Sequence, residues 1–409
     1  LNAADIAMLV VAVGAAAFML SPHVLRSNNW RATVTPLASI IGSGFLVAGP
    51  ILGHAAGHYA VFAMAALCGI SYLFGLAVRD NISRLEPMLA ADDPRPVLVW
   101  LDRAADLALI LAYFVSIAYY LSLLSDFALK GLGIVDPALA HMMTTGILAV
   151  LALLGYMGGL RWLEHVELGS VGLKLALIAA LIAALAWSMG AQLVTDGAVA
   201  VKPLAETAEG WDSLRILLGL IILVQGFETS RYLGHSYDAS TRVLTMRHAQ
   251  WIAFIVYILF IGLLTPWLDG RLPPEGGDTQ IVELLRPVGM LIAPCVIVAA
   301  LMSQLSAAVA DMNGASGLVS TASQDKISVG IGYVVAAGAS TVVVWSGSIF
   351  TVIAWASKAF VLYYGIQSLT ALVVEWVDPA PTRWKRIALH SVAILIALAV
   401  LLFGKSAEG

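Results

Sequence analysis

Twelve apolar runs follow one another along this chain, each close to the ~20 residues a helix needs to cross a hydrocarbon layer. They lie at about 3–22, 34–54, 58–78, 103–129, 141–160, 167–190, 213–235, 248–268, 284–318, 328–345, 349–376 and 386–403. Lipid offers no water to backbone N–H and C=O groups, so only helices and closed barrels span it. Runs of this length read as helices rather than barrel strands. Composition agrees: 60% of the 409 residues are hydrophobic and only 12% are charged, a balance foreign to soluble domains. The expected fold is therefore all-α and integral to the membrane, with about twelve transmembrane helices and the lipid bilayer as its permanent partner. A net charge of -4 gives no nucleic-acid signal. Cys68 and Cys295 both sit in apolar runs and read as buried free thiols. The first run is long and lacks a basic leader, so it reads as a helix rather than a cleavable signal.

The connections between runs set an orientation. Arg26 and Arg31 follow the first run, and Arg79, Arg84, Arg95 and Arg103 follow the third. Arg161, Arg242 with Arg247, Lys326, and Arg383 with Lys385 and Arg386 follow the fifth, seventh, ninth and eleventh. The alternate connections carry few basic residues. Positive charge marks the cytoplasmic side, which puts both termini outside a plasma (inner) membrane. The acidic segment 191–212 and the turn-rich Pro273–Gly277 become outer loops.

Two runs are interrupted. Ile41-Gly42-Ser43-Gly44-Phe45 places two glycines around a serine near the middle of the second run. Each glycine destabilises a helix interior by roughly 1 kcal/mol relative to alanine. Gln225-Gly226-Phe227-Glu228-Thr229-Ser230-Arg231 places a glycine among polar residues, with an intramembrane charge, in the seventh. Alone, each reads equally as a close helix contact through small residues. Together they fall at matching positions of two antiparallel spans, the sequence pointer to a transporter binding site. Residues 34–190 and 213–376 are then two inverted halves of five helices each. An extra helix lies in 1–33, and another in 377–409.

These motifs resemble a known family. Ile41–Phe45 is similar to the glycine-serine-glycine break in helix one of the amino acid–polyamine–organocation (APC) superfamily. Gly226-Phe227-Glu228 resembles the glycine-phenylalanine-glutamate of its helix six. The resemblance implies a leucine-transporter-type fold with a five-plus-five inverted repeat and broken core helices one and six. An extra N-terminal helix instead resembles the sodium/solute symporter family. So does Ala300-Leu301-Met302-Ser303-Gln304-Leu305-Ser306, where that family places sodium-binding hydroxyls on core helix eight. Gln304 departs from that pattern.

Several residues are candidates for a site. The amides around Ile41, Gly42, Ser43 and Gly44 suit a substrate carboxylate, since half-helix N-termini carry partial positive charge. Carbonyls at the half-helix ends, including that before Gly226, suit an ammonium group. Gln225 and Phe227 flank that second break. A buried carboxylate at Glu228 must be paired, protonated or wet. Arg231, one turn on, is its expected partner. Lys174 is either a side chain snorkelling to the interface or, as the resemblance implies, an ammonium standing where sodium sits in relatives. In the second case it approaches Ala38, Ile41, Ser303 and Gln304. Asp311 and Asn313 line an inner exit path, or Asp311 itself binds a cation, or the charge is simply solvated in an inner vestibule. Tyr113, Ser116 and Tyr120 share one face of their helix, and either tyrosine is placed to cap a substrate. His54 and His58 read as surface residues, and no metal or other cofactor is expected.

No nucleotide loop, metalloprotease motif or nucleophile elbow is present in the sequence. The expected protein is a secondary active transporter of a small amino acid or organic amine, proton-coupled or sodium-independent, and not an enzyme. The alternatives are a sodium-coupled solute symporter, an inorganic-cation transporter, or a sensor that binds without transporting.

Overall fold

The structure is a computed structural model that describes residues 2–407 apart from 43, 159–160, 206, 235 and 274, with backbone only for 161–170. Among the described residues there are helices and no strands. In chain order the principal helices are α1 (Ala3–Met19), α2 (Asn28–Gly42), α3 (Ala48–Ala56), α4 (Ala60–Asp80), α5 (Pro96–Gly131), α6 (Pro137–Gly158) and α7 (Arg161–Asp196). They continue with α8 (Gly210–Leu218), α9 (Ala239–Leu264), α10 (Ile281–Leu285), α11 (Ile292–Ala322), α12 (Val329–Val344), α13 (Ile349–Val377) and α14 (Arg383–Phe403).

Eight described helical stretches are long and apolar enough to cross a membrane. The remaining runs fall short for visible reasons. α1 and α12 have 17 and 16 residues. The second run stops at Gly42 and resumes at Ala48, so its outer half, α3, continues into α4 as one long stretch. The seventh run ends as α-helix at Leu218 and continues only as tighter 3-10 turns, Ile221–Val224 and Phe227–Leu233. The run at 284–318 does give one of the eight spans, but shifted along the chain, because α11 begins at Ile292 and ends at Ala322. Pro287 lies in the preceding turn, and a proline removes a donor and disfavours helix in the residue before it.

Local chemistry fixes many of the helix starts. Asn2 and Asp5 form a reciprocal capping box on α1. Ser328 and Ser348 cap α12 and α13 through their hydroxyls. Prolines occupy the first turns of α5 and α6, where the missing N–H has no helical partner to lose.

α5 is the most enclosed of the long helices and packs against both α11 and α13. Tyr119, Tyr120, Tyr257, Tyr363 and Tyr364 are fully buried around it. By contrast, Val10, Val13 and Phe18 of α1 and Leu395 and Leu402 of α14 are exposed. Such unpartnered apolar flanks suit contact with lipid. Asn2 donates to the Val288 carbonyl (2.8 Å), and Asp5 accepts from the amides of Met290 and Leu291. The C-terminal Lys405 reaches Asp212 at 3.0 Å, beside α3 and the strap 268–280 that joins α9 to α10. Both described chain ends thus lie at one end of the bundle. The arginine-rich connections lie at the other, where Arg84 bridges Glu375 and Arg386 bridges Asp80.

Candidate functional site

The two interruptions meet. Gly226 has φ +116°, and a Cβ there would lie 2.6 Å from the Ser39 carbonyl carbon and 2.7 Å from the Ile40 nitrogen. A Cβ on Gly44 would lie 2.2 Å from Leu223 Cδ2 and 3.0 Å from the Tyr119 hydroxyl. Glycine is needed at Gly226 because backbone passes backbone there, whereas at Gly44 the space is filled by the Leu223 and Tyr119 side chains. Between α2 and α3 the chain turns, with the Gly44 carbonyl accepting from the amides of Val47 and Ala48 (3.1 and 2.9 Å). Ser43, expected at this turn, lies outside the described residues.

The carbonyls released by these breaks are partly engaged by the protein itself. The Tyr257 hydroxyl on α9 sits 3.0 Å from the Ile40 carbonyl oxygen and 2.5 Å from that of Leu223. Ser71 on α4 donates to the Val224 carbonyl at 2.8 Å. One phenol therefore ties the two interruptions together. Its distance along the chain from both motifs hid it from sequence reading.

Glu228 is fully buried. Its Oε2 accepts from the Gly226 amide (2.9 Å) and from the Tyr364 hydroxyl of α13 (2.6 Å). Its Oε1 has no hydrogen-bond partner among the described residues. Phe227 stacks on the Tyr364 ring with centroids 4.8 Å apart, which fixes that phenol. The expected Glu228–Arg231 pair does not form. Glu228 folds back onto the amide two residues before it, while the long Arg231 side chain extends towards the basic end. There it pairs with Asp102 on α5, and Tyr232 donates to Asp106 at 3.1 Å. Arg242 of α9 then joins the Arg231 carbonyl (2.8 Å) to Glu86 (2.6 Å).

On α5, the face read from the sequence divides its partners. Tyr120 accepts from Gln225 Nε2 at 2.7 Å, leaving Gln225 Oε1 without a donor. Ser116 donates to the Asp311 carboxylate on α11. Asp311 is 1% exposed, so the reading of a charge solvated in a vestibule is not what the fold gives. The packing of α5 against α11 encloses it instead. Ser39 Oγ and Tyr119 Oη, both beside the breaks, are further buried polar atoms without a partner among the described residues.

Lys174 is 1% exposed and donates to the Ala38 carbonyl at 2.9 Å. Its nitrogen is 3.7 Å from where a Gly42 Cβ would stand, and the Ser303 carbonyl oxygen is 3.6 Å from the same point. The snorkelling alternative is therefore overturned. α7 starts at Arg161, which places Lys174 about 20 Å along the helix rather than near its mouth. Beside it, Ile41, Phe45, Ser303 and Gln304 line a void of about 10 Å³, room for a single small species.

A family model described as an APC superfamily transporter matches residues 22–404. The chain belongs to the APC superfamily of transporters. It is also similar to an uncharacterized protein of Aquifex aeolicus (strain VF5), 36% identical over 394 residues, or 96% of this chain and 94% of that one. In this APC transporter a vestibule of about 670 Å³ reaches inward from the basic end. Arg31, Ser236 and Thr321 line its mouth, and Tyr113, Thr229 and Asn313 lie among its walls. Asn313 accepts from Tyr333 at 2.5 Å, so α12 holds it on the vestibule wall. Tyr113 packs against Gly314, where a Cβ would approach its ring to 2.8 Å. Thr229, the residue after Glu228, is on its wall, whereas the Glu228 carboxylate turns away to Gly226 and Tyr364. His54 holds the Gly270 carbonyl at 3.0 Å, and no group of three metal-ligating side chains occurs among the described residues.

Proposed function

We propose that this APC transporter moves a small amino acid or organic amine across the plasma (inner) membrane, independently of sodium, by alternating access. The observation that carries the reading is the contact between the two breaks, with Glu228 buried beside it and its Oε1 left without a donor. A carboxylate at that depth whose second oxygen lacks a donor among the described residues is costly unless something protonates it or donates to that oxygen. A substrate ammonium supplies such donors, and the amides of the first break suit a carboxylate on the same molecule. In this reading 34–190 and 213–376 are inverted halves whose relative rocking exposes the site alternately to each side. The basic end is cytoplasmic by the positive-inside rule, so the vestibule is the inner path.

Lys174 supports sodium independence. Its ammonium already occupies the Ala38 carbonyl and stands beside Ser303, where repulsion would disfavour a second cation. Proteoliposomes loaded with candidate amino acids and amines, with sodium replaced by choline at several pH values, test the proposal. Uptake should persist without sodium and change with pH. Lys174→Ala should abolish that pH dependence or the uptake itself. A strict sodium requirement would overturn the assignment and favour a sodium-coupled symporter with Ser303 as a ligand.

A further inference from the structure

The strap 268–280 lies over the end of the bundle opposite the basic connections, and it meets α5 carboxyl to carboxyl. Asp278 of the strap is 3% exposed. Its carboxyl is within hydrogen-bonding reach of the Asp126 carboxyl on α5. Asp278 Oδ2 nevertheless has no donor among the described residues. Two ionised carboxylates are both acceptors, so a hydrogen bond between them requires a proton on one. Asp278 is buried and Asp126 half-buried, and like charges held that close favour a proton on one of them.

Lys130, one turn further along α5, pulls on Asp278 but is itself paired with Glu283 of α10 at 3.0 Å. Asp136 and His141 at the start of α6, with Glu275 on the strap, line the same cavity of about 500 Å³ as the pair. Tyr119 faces Asp278 from α5 as a phenol. Burial pushes the Asp278 carboxyl above its ordinary value, against the opposing pull of strap amides and of Lys130.

We infer that Asp126 and Asp278 share one proton whenever the strap is docked, so that docking takes up a proton from the medium on that side of the membrane. The bond is O–H···O between the two carboxyls, and undocking returns the proton to solvent. The docked strap binds this proton more tightly than the free strap does. Lower pH therefore favours docking, and rising pH ionises both groups and releases the strap. This makes closure at that end sensitive to pH through groups remote from Glu228 and Lys174.

Hydrogen exchange of the strap amides in nanodisc-embedded protein tests this, after correction for the intrinsic pH dependence of exchange. Between pH 5.5 and 8.5, protection of 268–280 should fall by at least about tenfold, the effect of one unit of pKa difference between docked and free states. Protection of α13 should not change over the same range. Asp278→Asn and Asp126→Asn each replace the shared proton with an amide donor, so each should keep the strap protected at both pH values. Equal protection of the wild-type strap at both pH values would overturn the inference. So would the same pH-dependent loss in both asparagine variants.

Discussion

Glu228 is the residue on which most of the proposed chemistry depends. Gly226 and Tyr364 satisfy one carboxylate oxygen and hold the side chain still, leaving the other oxygen as an oriented acceptor. Glu228→Gln keeps the shape and removes the charge. A hydrogen bond to a charged group contributes about 1.5–3 kcal/mol, or roughly 10- to 100-fold in affinity. The variant should therefore express normally and take up substrate with apparent affinity weakened by about that factor. Wild-type kinetics in the Gln variant would show that the carboxylate's charge is not used. The glutamate was visible in the sequence because an acid inside an apolar run has few innocent explanations. Its true partner was not. Arg231 is close in sequence, whereas Tyr364 is 136 residues away on a helix whose tyrosines look like packing.

At the scale of elements, the breaks were legible because glycine has a cost inside a helix and a use where two backbones touch. Gly226→Ala should be damaging on both counts. Its φ of +116° disfavours any L side chain, and the clash is with the Ser39 and Ile40 backbone, which cannot rotate away. The expected outcome is a lower melting temperature and lost uptake. Gly14→Ala, in α1 with nothing within 4 Å of its Cβ, should melt like the wild type. Equal melting of the two variants would mean that the contact at the second break is not tight. The helix ends were less legible. One alternative put Lys174 near an interface because Arg161, Glu164 and His165 sit before the apolar run, yet α7 starts at Arg161. Hydropathy marks where a segment is apolar, whereas a helix ends where its backbone bonds end.

For the whole molecule, the pattern of twelve runs specified an all-helical membrane bundle, and chain-wide family similarity agrees with it. Long-range pairings such as Tyr257 with both breaks, or Asp126 with Asp278, carry no local pattern and came only with the fold. Sidedness rests on a different argument, the distribution of basic residues, and it has its own test. Ser236 is exposed at the mouth of the vestibule at the basic end, and Ala138 is exposed at the start of α6 at the opposite end. The positive-inside rule puts Ser236 in the cytoplasm and Ala138 outside. In a background with Cys68 and Cys295 replaced by serine, Ala138→Cys in intact cells should react with a membrane-impermeant maleimide. Ser236→Cys should react only after the cells are opened. The reverse pattern would place the vestibule on the outer side and turn the inner exit into an outer entrance. It would also assign the proton taken up by the strap to the cytoplasm, while leaving the geometry around Glu228 unchanged.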